Sequence, residues 1–286
     1  MNAQIKGRLE QIVNNIGQLP SMPDVAGKVI NMVNDPDVSF NRIAEEISKD
    51  QAITTNVLKL CNSAYFSRGK EILSVDRAVV TLGIKEVKDI VFVAATKSIL
   101  DKEILGYDLS KGELWKHALS VAVLSKRIAL LKKKDDIADI AFTGGIIHDV
   151  GKTVLALYVQ STLKEIKDLV ESKNITFQTA EREIMGFDHQ EIGEKILAKW
   201  NFPQVLKDIV RYHHEPDKAP AESRLLVSIV HIANVICLMA GIGIGSDGLF
   251  HELNDEALTL TGIKDAELER LYAAIPDTMN QVGAIQ

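Results

Sequence analysis

Apolar residues return at helical spacing along almost the whole chain, and no segment alternates polar and apolar residues as a half-buried strand would. That periodicity confines the fold to packed helices, so the expected class is all-α. In 39–49, a capping Ser39 opens a helix with Phe40, Ile43, Ala44 and Ile47 on one face. Ser74 can cap 75–82 with Gly83 closing it, and Val87, Ile90, Val91 and Ala94 form one stripe of 85–100. Glu113–Leu131 carries Leu114, His117, Ala118, Val121, Leu124, Ser125 and Ile128 on one side. Ile137–Tyr158 reads as the next long helix, and Gly144-Gly145 would let another helix approach closely. Asp188 and Glu191 form a capping-box variant that opens 189–200, and Pro203 suits the first position of 203–213. Short helices are expected at Asp255–Thr261 and Asp265–Ala274.

A chain of 286 residues implies one or two domains with a substantial core. The polar stretch 101–112, with two glycines, is the expected boundary. It divides an N-terminal helical bundle (1–108) from a C-terminal helical domain with tail helices (109–286). The net charge of −6 gives no global field for nucleic acid or anionic membrane. Lys132-Lys133-Lys134 reads as a solvated helix end. Residues 39–63 could pass for a helix-turn-helix, but they lack a turn glycine, and Glu45-Glu46 would face phosphate poorly. No DNA partner is expected. Leu225–Gly245 carries no formal charge and is long enough to span a bilayer. Yet Ser228, His231 and Asn234 draw a polar stripe along it, and no basic cluster or aromatic belt flanks it. A buried central helix and no membrane contact are expected. Cys61 and Cys237 read as small buried hydrophobes, no CxxC pair exists, and the N-terminus lacks a signal-peptide core. A reducing cytoplasm is the simplest location.

Five of the seven histidines form a spaced series: His117, His148 beside Asp149, His189, and the pair His213-His214. Imidazoles and a carboxylate returning on successive helices suit a divalent transition metal. His148 and Asp149 follow the apolar run 141–147, where a charged Asp is costly unless paired or metal-bound; an ion pair with Lys152 is the alternative. Glu113 lies four residues before His117, so both side chains can reach one point, although an acid in a first helical turn needs no metal to explain it. His213 completes the stripe of Leu206, Ile209 and Val210, with His214 about 100° further round. The series closes with Asn234, where such a site would want Asp; as a ligand it offers only a neutral carbonyl oxygen.

In this order the residues resemble the HD superfamily of metal-dependent phosphohydrolases, whose pattern is His, His-Asp and a distant Asp. Ile147-His148-Asp149-Val150-Gly151-Lys152, Asp188-His189-Gln190-Glu191-Ile192-Gly193 and His213-His214-Glu215-Pro216 look like its HD-GYP branch, which cleaves cyclic di-GMP with two or more metals. The N-terminal half is more telling. Leu19-Pro20-Ser21-Met22-Pro23, Ile47-Ser48-Lys49-Asp50, Leu60-Cys61-Asn62-Ser63-Ala64, Ile72-Leu73-Ser74-Val75 and Thr81-Leu82-Gly83 resemble the HD-related output domain, HDOD, over about residues 15–240.

That resemblance implies an all-α bacterial output module in signalling, non-catalytic or weakly catalytic. Its partners would be signalling proteins supplied in trans, receiver or cyclic-dinucleotide-pathway proteins, with a nucleotide as a possible ligand. The chain keeps nearly all the metal ligands that many HDOD members have lost, but it lacks the glycine-tyrosine-proline loop after His214. Carried over, site one would be His117, His148, Asp149 and Asn234; site two would be Asp149 as bridge with His189, His213 and His214. One or two ions of iron, manganese, nickel or zinc suit these ligands better than magnesium or calcium. The alternative is a metal-dependent phosphodiesterase in which Asp149 bridges or orients water and Lys152 neutralises phosphate charge. A di-iron redox sensor is a third reading.

Overall fold

The computed structural model describes residues 22, 24–32, 38–63, 65–67, 69, 71–248 and 252–283. The N-terminal segment, most of the Leu19–Pro23 motif, and Ala64 lie outside them. The described residues are all-α, with no strand; an isolated antiparallel bridge pairs Ile104 with Leu109. The chain divides into two compact units. Among the described residues, one comprises 22–99 with 277–283, and the other 100–276.

The first unit contains α1 (Asp24–Met32), α2 (Phe40–Ser48), α3 (Gln51–Cys61), α4 (Val75–Leu82) and nearly all of α5 (Ile84–Leu100). Side chains set the helix starts. Ser39 accepts from Arg42 N, Asp50 from the Ala52 and Ile53 N–H groups, and Ser74 from Arg77 N. Gly83, at φ +90°, ends α4 in a conformation that side chains rarely adopt. Ile43, Ala44 and Ile47 of α2 are buried as the periodicity requires, whereas Phe40, expected on the same face, is 45% exposed.

Asn62 pins the loop between α3 and α4. Its amide nitrogen donates to the Ile72 carbonyl (2.7 Å) and to Leu58 O (2.9 Å), while its oxygen accepts from Ile72 N (2.8 Å). The side chain thereby pairs with the backbone ten residues on, as a neighbouring strand would. Replacing Asn62 with Ala is expected to cost about 1–2 kcal/mol, measured as a lower urea midpoint at unchanged slope.

The second unit is built from α6 (Glu113–Leu131), α7 (Asp135–Ile147), α8 (Lys152–Lys173), α9 (Phe177–Met185), α10 (His189–Lys199), α11 (Gln204–Tyr212), α12 (Arg224–Met239), α13 (Asp255–Thr261) and α14 (Asp265–Ala273). A last helix, α15, spans Ile275–Gly283. α6 packs on α7 and α12, and α10 on α11. Gly145 makes the α6–α7 approach possible: a Cβ there would lie 2.5 Å from Ala122 Cα. Ile137–Tyr158, expected as one helix, is two helices separated by a turn at 148–151. The apolar periodicity runs through that turn unbroken, so it hides the break. α8 then continues to Lys173, where Asn174 closes it in the left-handed conformation.

Residues 224–239 form the expected central helix, buried throughout from Leu226 to Leu238. Among the described residues, Asp135–Lys173 alone is long and apolar enough to cross a membrane, and 78% of its most apolar window is buried within the protein.

Candidate metal centre

Five elements of the second unit converge on one buried point. His117 comes from the second turn of α6, His148 and Asp149 from the 148–151 turn, and His189 from the first residue of α10. His213 and His214 follow the end of α11, and Asn234 lies in mid-α12. All are fully or almost fully buried except His214, which is half-buried. Asp188 sets the start of α10 by accepting from Glu191 N (2.8 Å), and Arg182 ties Asp188 (2.5 Å) to Glu215 (2.7 Å).

Asp149 stands at the centre. Its Oδ2 lies 3.2 Å from His148 Nε2 and 3.7 Å from His117 Nε2, and its Oδ1 lies 3.5 Å from His213 Nε2 and 3.7 Å from His189 Nε2. Two groups of potential ligand atoms result, His117–His148–Asp149 and Asp149–His189–His213–His214.

The outer ring nitrogens decide the tautomers. Nδ1 of His117 donates to the Ile242 carbonyl (2.9 Å), that of His148 to Gly145 O (2.8 Å), and that of His213 to Val210 O (2.9 Å). His189 Nδ1 donates to the Glu181 carboxylate (2.8 Å). A carbonyl or carboxylate oxygen can only accept, so each Nδ1 carries a proton and each Nε2 is the ring nitrogen turned toward Asp149. His148 Nε2, His213 Nε2 and Asp149 Oδ1 are buried with no hydrogen-bond partner among the described residues. Such a convergence of unsatisfied polar atoms is costly, and the donor set fits a divalent cation. His231 makes the contrast. Its Nδ1 donates to His213 O (2.8 Å) and its Nε2 accepts from Asn254 N (3.1 Å), so this histidine is a satisfied core residue.

Glu113 does not reach the cluster; its carboxylate accepts from Ser110 N (2.5 Å), closing the start of its own helix. Asn234 Oδ1 lies 2.9 Å from His117 Nε2. With the His117 proton on Nδ1, two acceptors face each other there. Either the amide presents its NH₂ group instead, or a cation is shared between them.

Lys152 is buried rather than solvated. Its ammonium pairs with Asp149 Oδ2 (2.6 Å) and with Asp247, and sits 5.7 Å from the Tyr107 ring centre. Glu181, Tyr107 and Asp247 were not foreseen. Glu181 is fully buried and accepts from the Tyr107 hydroxyl (2.5 Å) as well as from His189 N (3.1 Å) and Nδ1. A turn separates it from His189, and Asp247 is 95 positions beyond Lys152, so no helical spacing connects either pair.

The site's protonation follows from these contacts. Burial lowers His117 to about 4 and His213 to about 3. Burial also pushes His189 down, but the Glu181 charge and hydrogen bond outweigh it and raise His189 above its ordinary value. Burial pushes Asp149 up, but His148 and Lys152 outweigh it and hold the carboxyl well below its usual range.

In the unfolded chain imidazoles titrate near pH 6.5, so between about pH 6.5 and about 4 the unfolded state takes up protons that folded His117 and His213 refuse. Stability therefore falls as pH drops through that window. Asp149 adds to the loss below the carboxylate range. Raised His189 opposes it, contributing stability that fades as pH rises through its folded value. Two lowered imidazoles outweigh one raised. Chelator-treated protein is expected to melt roughly 5 °C lower at pH 5 than at pH 7, and an unchanged or higher Tm at pH 5 would contradict this balance.

The fold and the pocket together define an all-α domain with a buried His/Asp cluster. The chain belongs to the HDOD domain family, whose domain matches residues 19–216. The HDOD domain protein of unknown function from Geobacter sulfurreducens has the same fold, with a TM-score of 0.70 and 24% identity, covering 96% of this chain and 99% of that one. A protein provisionally named a phosphohydrolase, from Shewanella amazonensis SB2B, superimposes with a TM-score of 0.73 at 23% identity, covering 96% and 98%. An uncharacterized protein of Treponema pallidum (strain Nichols) is 27% identical over 226 residues, 78% of this chain. The chain spans 43% of that relative's length.

Proposed function

We propose that this protein is a bacterial signal-transduction output module, cytoplasmic, whose His/Asp pocket holds a divalent transition metal for stability or sensing. Its partners would be receiver or cyclic-dinucleotide-pathway proteins acting in trans. One observation carries the reading: the pocket has metal ligands but no phosphate clamp. The cavity beside His214, about 410 Å³, is lined by Asn174, Thr176, Gln178, Thr179, His231 and Glu252, with no Lys or Arg among its described lining residues. Lys152, the one cation beside Asp149 in the motif, is committed to two carboxylates. Iron, manganese, nickel or zinc suit the imidazole-rich set. The ion would lie in the pocket ringed by His117, His148, Asp149, His189, His213 and His214, with Asn234 a weak carbonyl donor at most.

The ligand set favours a second reading, a metal-dependent phosphohydrolase. A divalent ion held there would supply Lewis acidity. Asp149 would orient the attacking water and Lys152 would hold Asp149 in place. Manganese- or iron-loaded protein incubated with cyclic dinucleotides and with bis(p-nitrophenyl) phosphate separates the two. Turnover no higher than that of the Asp149→Ala variant is the expected result. Turnover that the variant abolishes would overturn the output-module reading in favour of the enzyme.

A further inference from the structure

Asp149 presents its two oxygens to different surroundings. Oδ2 faces His117 and His148 and already holds the Lys152 ammonium at 2.6 Å. Lys152 is 4% exposed and anchored from behind by Asp247, so that charge is built into the fold. The groups around this side are otherwise neutral: the Ile242 and Gly145 carbonyls behind the two imidazoles, and the Asn234 amide.

Oδ1 faces His189 and His213 and has no hydrogen-bond partner among the described residues. His214 closes this side, its Nε2 3.1 Å from that of His189. Behind His189 stands an anion, Glu181, which takes three hydrogen bonds: from His189 N, His189 Nδ1 and the Tyr107 hydroxyl. The chain thus places the Lys152–Asp247 ion pair on one side of Asp149 and the Glu181 carboxylate on the other.

Resting on the reading that this pocket holds a transition metal, we infer that it takes a single divalent ion, at Asp149 Oδ1, His189, His213 and His214, and that the Lys152–Asp247 pair stands in for a second ion beside His117 and His148. A dication at the His117–His148 side would meet a fixed ammonium to which the Asp247 carboxylate is already committed, and at position 234 an amide where a carboxylate would serve. At the other side it meets three imidazole rings, a carboxylate oxygen with no hydrogen-bond partner among the described residues and the field of Glu181. Glu181 is a positioning residue: it fixes the His189 tautomer and strengthens that imidazole as a donor.

The test is metal content by elemental analysis of the full chain loaded with Co²⁺, together with its visible ligand-field spectrum. About one ion per chain is expected for the wild type. His117→Ala should keep both the ion and the spectrum. His214→Ala, at a half-buried position that tolerates truncation, should lose the spectrum and weaken binding. Glu181→Gln should lower affinity about 10–100-fold in chelator competition, whereas a purely structural role would lower Tm and leave affinity unchanged. Two ions per wild-type chain, or loss of the ion in His117→Ala with retention in His214→Ala, overturns the single-ion assignment while leaving the metal reading intact. No ion in any variant overturns both.

Discussion

Alanine at position 149 is expected to empty the pocket of metal. Asp149 is the one carboxylate in either ligand group, and its two oxygens serve both. Without it the imidazoles have no ligating carboxylate beside them to balance a dication, and Lys152 remains nearby with Asp247 as its counter-charge. Metal content measured after purification without chelators should fall to background. Removing one partner of a buried charged network also costs stability, about 3–5 kcal/mol where the remaining charge is left unpaired and less here, because Asp247 still neutralises Lys152. Comparison with chelator-treated wild type separates the two losses. A variant that retains the wild-type metal content would exclude Asp149 as a ligand.

Replacing Gly151 with Ala is expected to be comparably damaging for a different reason. The backbone there is ordinary helical (φ −61°), so the constraint is space. A Cβ would lie 1.8 Å from the His189 carbonyl oxygen and 2.7 Å from Gly193 N, both main-chain atoms that cannot swing aside. The turn that carries His148 and Asp149 would have to move away from the helix that carries His189. We expect a loss of about 4 kcal/mol or more, or failure to fold, with weakened metal binding in whatever folds. Gly27→Ala, where nothing lies within 4 Å of the added methyl, is the control and should be neutral or stabilising by up to about 1 kcal/mol. A Gly151→Ala protein that melts like wild type would show that the two segments do not pack this closely in solution.

Helices were legible wherever one apolar stripe and a capping residue agreed. Ser39, Ser74 and Asp188 each accept from the backbone three residues on, as their positions suggest. The 148–151 break was not legible, because Phe142, Ile146, Val150 and Val154 keep helical spacing across it and are all buried on both sides. In the site, the histidines and Asp149 could be named in advance because burying so many imidazoles and an acid in apolar runs is costly without a shared purpose. Glu113 is drawn elsewhere: helical spacing places it near His117, but its carboxylate accepts from the Ser110 N–H at its own helix start.

The amino-acid sequence by itself determined the helical class, the family and the identity of the imidazoles, since these depend on periodicity, caps and residue chemistry along the chain. Only the tertiary structure decided which oxygen of Asp149 is taken, that Lys152 is buried against Asp247, and that Glu181 stands behind His189. Those contacts join residues on different helices and loops. Electrostatics acts over a few ångströms of space, and no spacing along a helix reports which distant charges the fold will bring that close.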